Sequence, residues 1–315
     1  MWSDMLEKRR HDRLPPSPAV ARHVTEVGLL ARSVLQSGSD GVVMAAFQRC
    51  FYAAFGDSLI CVGSHALGSG PLHVLCDRWQ DDLIGVGQPI AIEGTALRVD
   101  GAVLANFEIA PTWRPDPAPR WSLASLTAGL QAIDAIWRMT FGGEALVPGE
   151  ELVSGRSSHL IAAARPGVDA LARIVGDGLR DSRPDATAGA DVIGLIGLGP
   201  GLTPSGDDVL LGALVALGAL ELPQVRDTLW RQCQPSLDRT NAISRAHLEA
   251  AAGGYGAAVL HAAIHATIAG RVAELDRALA AVSEVGETSG RDAFTGALVA
   301  LRAVRRHVAA VGRAP

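Results

Sequence analysis

The stretch "GLIGLGPGLTPSGDDVLLGALVAL", residues 194–217, joins a loop rich in glycine and proline to an apolar segment with helical composition. Glycine supplies positive backbone φ angles and proline is excluded from helix interiors, so the first half predicts a shaped loop. Two adjacent carboxylates, Asp207 and Asp208, stand where the apolar run begins. The stretch therefore predicts a glycine-rich loop that ends at the charged first turn of a buried helix.

Part of this stretch occurs twice in the chain. "SGDDVLLGALVAL" (205–217) returns as "SGRDAFTGALVAL" (289–301), with nine identical residues in thirteen positions. The shared residues include Ser205 and Ser289, and the second acidic residue of each copy. One polar position differs, because Arg291 replaces Asp207. The repeat predicts two related helices that begin in the same way.

Two interpretations of the repeat are open. In the first, Ser-x-x-Asp is a capping box: the serine hydroxyl accepts from the backbone amide three residues later, and the aspartate side chain accepts from the backbone amide of the serine. Gly212 and Gly296 then mark close helix packing, since a glycine inside a helix costs about 1 kcal/mol relative to alanine. This interpretation assigns no ligand to either turn.

In the second interpretation the two helix starts converge on one pocket. Free amide groups and the helix dipole attract anions to such a start. Arg291 would hold a planar oxyanion in a bidentate contact, while Asp207 would accept from urea-like N–H groups or bind Mg²⁺. The pocket would present opposite charges from its two sides.

Composition excludes several other functions. Hydrophobic content is 48% and the formal net charge is −5, which gives no electrostatic case for binding nucleic acid or anionic membrane. Lys8 is the single lysine, so a Schiff base or a Walker-type phosphate loop has no candidate in the folded part. The cysteines show no CxxC spacing, which favours reduced thiols. The N-terminus is charged and has no apolar core of the kind a signal peptide carries, which favours a cytoplasmic protein.

The chain predicts an α+β fold in two units. Residues 1–18 read as a flexible tail and 19–112 as an antiparallel β-rich domain, a small barrel or sandwich, led by a helix over 19–38. Asp100-Gly101 is typical of a tight hairpin turn. A proline-rich linker over 113–119 precedes an all-helical domain over 120–315 that carries the repeated motif.

A third segment, "DRTNAISRAHLEAAAGG" (238–254), lies between the two copies. Thr240 and Asn241 are typical of a helix start, and Ser244 would project from its first turn. His247 lies on the same predicted helix. A lone histidine near a helix start is more often a hydrogen-bonded structural residue than a catalytic base.

The motif "GLGPGLTPSGDD", together with "GETSGRD" (286–292) and "ISRAHLEAAAGG" (243–254), resembles a bacterial domain family that includes the AllH-type subunit of oxamate carbamoyltransferase. In the β-rich half only "GSGPLHV" (68–74) resembles it. The resemblance implies a role in allantoin or purine nitrogen use, where oxalurate and phosphate are interconverted with oxamate and carbamoyl phosphate. It also implies a hetero-oligomer with other carbamoyltransferase subunits.

The resemblance also suggests roles for individual residues. Asp207, Asp208 and Arg291 would be catalytic, with Mg²⁺ on the two aspartates as an open possibility. The residues that would bind the carboxylate, phosphate or amide are Gly199, Gly201, Thr203, Ser205, Gly206, Ser244, Ser289, Gly290 and Asp292. Two alternatives stay open: a non-catalytic assembly subunit, or a magnesium-dependent enzyme acting on another small amide.

Overall fold

The computed structural model describes residues 22–77, 79, 84–141, 158–182 and 185–312. The predicted tail over 1–18 lies outside the described residues, as does Lys8. In the described part, no helix is both long enough and apolar enough to cross a membrane.

The N-terminal half is a β-barrel, as the α+β prediction allowed. Its strands alternate inward apolar and outward residues, as the period of a strand requires. They are β1 (Arg22–Gly28), β2 (Asp40–Ala46), β3 (Cys50–Phe55), β4 (Ser58–Ser64), β5 (His73–Cys76), β6 (Pro89–Glu93), β7 (Ala96–Val99) and β8 (Ala102–Asn106), with a short β9 (Thr112–Trp113).

The strand order is β5-β4-β3-β2-β6-β7-β8-β1, and the pairing of β1 with β5 closes the ring, while β9 adds to β1. The predicted antiparallel arrangement holds for most neighbours, but β4 and β5 are parallel, as are β1 and β8. β5 follows a 3-10 turn and an extended loop rather than a tight hairpin, and so runs in the same direction as β4. The barrel is therefore mixed.

Two local predictions in this half had different outcomes. The Asp100-Gly101 hairpin is confirmed, with φ of 48° and 76° at the two residues. The helix predicted over 19–38 is wrong in its first part, because residues 22–28 form β1 and the helix α1 spans only Leu29–Leu35. Val24, Thr25 and Val27 are β-branched, which favours a strand once β5 and β8 are present to pair with it.

The C-terminal half is helical, as predicted. Its helices are α2 (Leu123–Phe141), α3 (Ser158–Leu179), α4 (Ala186–Ile193), α5 (Ser205–Ala219), α6 (Pro223–Cys233), α7 (Ala242–Ala252), α8 (Ala258–Ala269), α9 (Val272–Ser283) and α10 (Ser289–Val311). Gly270 ends α8 with φ of +67°. Helix α4 was not predicted, although Asp185 caps it by accepting from the Ala188 amide.

Barrel and helices bury separate apolar cores. The predicted domain limits at 112 and 120 remain a prediction, but β9 and α2 lie on either side of the proline-rich stretch. The two halves meet where α7 packs against β4 and where the Ala258 amide donates to the Ser69 carbonyl. This contact brings the barrel next to the repeated motif.

Candidate functional site

The two repeated helices, α5 and α10, cross in close contact through their glycines. A Cβ on Gly212 would lie 1.6 Å from the carbonyl oxygen of Ala293, and one on Gly296 would lie 1.8 Å from that of Val209. Ala293 and Val209 occupy the same position in the two copies. The crossing is therefore an approximate two-fold relation, and glycine permits it because a side chain would occupy the space of the facing backbone.

The turns that lead into α5 and α10 also resemble each other. Gly199 and Gly286 both have positive φ, +114° and +59°, and a Cβ on each would meet the following serine, Ser205 or Ser289. The Gly206 amide donates to the Leu198 carbonyl at 2.9 Å, and the Gly290 amide donates to the Val285 carbonyl at 3.1 Å. The structural repeat thus begins before the part that the sequence alignment detects.

The two turns meet, so the predicted convergence is confirmed. The hydroxyls of Thr203 and Ser289 lie 2.8 Å apart, one from each copy. Asp208 on α5 is close enough to Ser289 and Asp292 on α10 for both to affect its ionisation. Side chains of both helix starts therefore share one site.

The capping-box interpretation is wrong for both helices. The N-cap residues are Pro204 and Thr288, and neither makes a side-chain cap bond. The Asp208 amide donates instead to the Pro204 carbonyl, and the Asp292 amide to the Thr288 carbonyl. The serine hydroxyls are therefore not used as caps.

Asp207 is held by three donors that come from outside its own helix. Its Oδ1 accepts from the Gly197 amide at 2.8 Å. Its Oδ2 accepts from the hydroxyl of Thr240 and, at 2.7 Å, from that of Ser244 on α7. Asn241 caps α7 by accepting from the amides of residues 243 and 244, which confirms the predicted helix start. Asp207 thus fastens the glycine-rich loop and α7 to the start of α5.

Asp208 and Ser205 are buried with unused hydrogen-bonding capacity. Asp208 is 4% exposed and Ser205 is 2% exposed. Within the described residues, Asp208 Oδ2 and Ser205 Oγ have no hydrogen-bond partner. A buried polar atom without a partner costs about 1–3 kcal/mol, so a ligand or a water molecule that bonds to these two atoms would remove this cost.

The environment of Asp208 favours its neutral form. Burial raises the pKa of this carboxyl well above its ordinary value, and the negative charges of Asp292 and Asp207 raise it further. Hydrogen bonds from Ser289 and Thr203 act in the opposite direction but are outweighed. A protonated Asp208 can donate a hydrogen bond to an anion instead of repelling it.

The other predicted residues have varied surroundings. Asp207 and Arg291 were expected to face each other across the pocket, but the structure does not show this. Arg291 instead donates to the carbonyl of Glu287, four residues earlier in the chain, at 2.9 Å. Gly201, with φ of +98°, lies on the exposed outer part of the loop. Asp292 is buried at the start of α10. The first-turn amides at Gly206 and Gly290, expected to face an anion, donate to protein carbonyls instead.

A groove of about 550 Å³ lies elsewhere, between α3 and the end of α10. Arg173, Arg180 and Arg306 line it. It lies about 21–33 Å along α10 from Ser289 at 1.5 Å per residue, so it is distinct from the converged turns. Among the residues that the structure describes, no three His, Cys, Asp or Glu side chains form a group that could hold a metal.

The barrel adds a polar row that the sequence did not reveal. Tyr52 on β3 pairs directly with Cys61 on β4, and Cys61 pairs directly with His73 on β5. Direct partners point to the same face of a sheet, here the outer face of the barrel. The hydroxyl of Tyr52 lies 3.4 Å from Nε2 of His247 on α7. Only the pairing of three strands brings these residues together, so no spacing in the sequence indicates them.

Comparison with known proteins gives a match to the part of the chain that contains the repeated motif. No curated protein and no solved structure matches the chain. Residues 195–301, which include both serine-glycine turns, α7 and most of α10, match the family model described as "Oxamate carbamoyltransferase subunit AllH", and this is the family that the motif "GLGPGLTPSGDD" resembles.

Proposed function

We propose that this chain is a subunit of a carbamoyltransferase resembling oxamate carbamoyltransferase, and that its converged turns bind a small carboxylate or amide together with phosphate. The observation that carries the proposal is the pair of buried, unpartnered atoms, Asp208 Oδ2 and Ser205 Oγ, beside the hydroxyls of Thr203 and Ser289. A small polar ligand would satisfy these atoms.

The charge balance supports an anionic substrate despite the nearby acids. Three uncharged donors stabilise the carboxylate of Asp207, and burial favours the protonated form of Asp208. The helix dipoles of α5 and α10 both place positive potential at the point where the turns meet. Ligands with both acceptors and amide N–H groups, such as oxamate, suit this mixture.

The reaction fits a site without a protein nucleophile. An oxygen of hydrogen phosphate attacks the ureido carbon of oxalurate, the bond from that carbon to the oxalyl amide nitrogen breaks, and the phosphate proton passes to that nitrogen. The protein needs to bring the reactants together and to stabilise the developing oxyanion. The hydroxyls of Ser205 and Ser289 and the protonated Asp208 are the donors proposed for this oxyanion.

Two further parts of the proposal follow from the family. The chain would act in a hetero-oligomer with other carbamoyltransferase subunits, since its family is described as a subunit. It would act in the cytoplasm, which agrees with four free, buried cysteines. Magnesium on Asp207 and Asp208 is less favoured, because both oxygens of Asp207 already accept from the protein.

Titration calorimetry tests the proposal. Phosphate, carbamoyl phosphate and oxamate are titrated into the chain, alone and assembled with its partner subunits, using the wild type, Asp208→Asn and Ser205→Ala. Asp191→Asn is the matched control, because this aspartate pairs with Arg173 on the surface. We expect both site variants to weaken binding about tenfold or more, as for loss of a buried hydrogen bond to an anion, and the control to leave it unchanged. Equal binding by wild type and both site variants would contradict the site.

A further inference from the structure

Helix α7 contacts both the converged turns, through the bond from Ser244 to Asp207, and the barrel, through β4. Along β3 and β4, residues such as Phe51 and Ile60 fill the barrel interior, whereas the alternating positions Tyr52 and Cys61 point outward. Helix α7 packs against β4 on this outer face. The polar row Tyr52, Cys61 and His73 therefore lies where the two halves of the chain meet.

Helix α7 connects this row to the turns. Ser244 donates to Asp207, the residue before Asp208, at 2.7 Å. His247 lies three residues later, on the same face of the helix. Its ring contacts the ring of Tyr52 edge-on, with centroids 6.2 Å apart. One turn of α7 thus separates the Asp207–Asp208 pair from the Tyr52–His247 contact.

Tyr52, His73 and His247 are uncharged at neutral pH, whereas Cys61 of the row is buried. Tyr52, His73 and His247 are each half-buried. Desolvation by burial, with a smaller effect of His73, lowers the pKa of His247 to about 4, so this imidazole is neutral at neutral pH. Burial, then Cys61 and Cys50, and finally the charge of Asp208 raise the pKa of Tyr52.

His73 has a defined orientation. Its Nδ1 donates to the Gly68 carbonyl at 2.8 Å, which leaves Nε2 as the acceptor. A Cβ on Gly70 would lie 2.9 Å from that Nδ1, so the glycine leaves room for the ring. The loop "GSGPLHV" (68–74) thereby presents a neutral acceptor beside Cys61.

We propose that Tyr52, His73 and His247 form the second wall of the substrate pocket and bind the amide group of the substrate, opposite Asp208 and Ser205. This inference rests on the proposed function and extends it to the barrel. A neutral row with a hydroxyl donor and an imidazole acceptor suits an uncharged amide, whereas the turns suit the anionic groups. The site is therefore assembled from both halves of the chain.

The test compares ligands on the variants Tyr52→Phe and Tyr255→Phe. Tyr255 is the other tyrosine of the chain and is also half-buried, so it is the matched control. We expect Tyr52→Phe to weaken oxamate binding about 3- to 10-fold, as for one lost hydrogen bond, and to leave phosphate binding unchanged. Tyr255→Phe should change neither.

A second measurement needs no folded variant of Tyr52. The ring ¹⁵N resonances of the histidines are followed in the wild type as oxamate is added, with His247→Gln to assign one of them. A direct contact predicts shifts for His247 and His73 with oxamate and much smaller shifts with phosphate. A merely structural contact predicts none.

The outcomes separate the two proposals. If the wild type, alone and with its partner subunits, binds neither oxamate nor phosphate, the proposed function and this inference both fail. If oxamate binds to wild type and Tyr52→Phe with equal affinity and the histidine resonances do not move, the inference about the barrel fails while the turn site stands.

Discussion

Replacing Gly212 by alanine tests the helix crossing that brings the two turns together. The new Cβ would lie 1.6 Å from the Ala293 carbonyl oxygen, and to reach an ordinary contact of 3.4 Å the backbones of α5 and α10 must move apart by about 1.8 Å. Overpacking of this kind costs about 1–3 kcal/mol, and a backbone clash belongs at the upper end. The higher helix propensity of alanine returns only about 1 kcal/mol. We therefore expect a net loss of about 2 kcal/mol.

The measurement is urea unfolding followed by circular dichroism, with the thermal midpoint recorded in parallel. A loss of 2 kcal/mol lowers Tm by about 4–8 °C in a domain of about 200 residues. Gly296→Ala, the equivalent change in the second copy, should behave in the same way, since its Cβ would lie 1.8 Å from the Val209 carbonyl oxygen.

Gly176→Ala is the control in α3. Its Cβ would meet only the end of the Arg180 side chain, at 3.5 Å, so propensity should dominate and stabilise the protein by about 1 kcal/mol. Opposite signs for Gly212→Ala and Gly176→Ala are expected. If Gly212→Ala is as stable as the wild type, the close crossing of α5 and α10 is wrong, and the reason for the convergence of the turns is lost.

Three further predictions concern the polar residues of the site. Burial raises the pKa of Asp208, so its contribution to stability is present below the unfolded pKa near 4 and is lost as pH rises through the folded pKa. Asp208→Asn should therefore gain stability relative to wild type from acid to neutral pH, by at most about 1.4 kcal/mol per pH unit, and a constant difference across that range would contradict the pKa shift. Asp207→Ala should destabilise by about 3 kcal/mol in urea unfolding, because it leaves one buried and two partly buried donors without their acceptor. A loss below about 1 kcal/mol would show that those bonds do not hold the loop. Asn241→Ala should lose the α7 cap, at about 1 kcal/mol, and also the bond from its amide nitrogen to the Leu202 carbonyl, whereas Asn241→Asp keeps the cap and loses only that bond. A loss in Asn241→Ala no larger than in Asn241→Asp would refute the cap.

The sequence predicted the parts of the site that depend on local pattern. The repeated Ser-Gly-x-Asp motif indicated two related helix starts, and the shared glycines indicated the tight crossing that joins them. The pattern could not decide what the serines bind, because a capping box and a ligand site use the same residues. The choice depends on Pro204 and Thr288 occupying the N-cap positions, which is a property of backbone geometry.

Other features depend on contacts between distant segments. Asp207 was expected to face Arg291, but the start of α7 packs against the glycine-rich loop. Thr240 and Ser244 therefore donate to Asp207 instead. The row of Tyr52, Cys61 and His73 exists only because β4 lies between β3 and β5. β1 was predicted as a helix because its apolar residues also fit a helical period, and its partners β5 and β8 lie about 50 and 80 residues away.

A crystal structure of the protein grown with oxamate and phosphate tests the central claim most directly. The account predicts ligand density within hydrogen-bonding distance of Asp208 Oδ2 and Ser205 Oγ, between the turns that precede α5 and α10. Ligand bound instead in the arginine-lined groove at the end of α10, with the space between the turns unchanged, would contradict it.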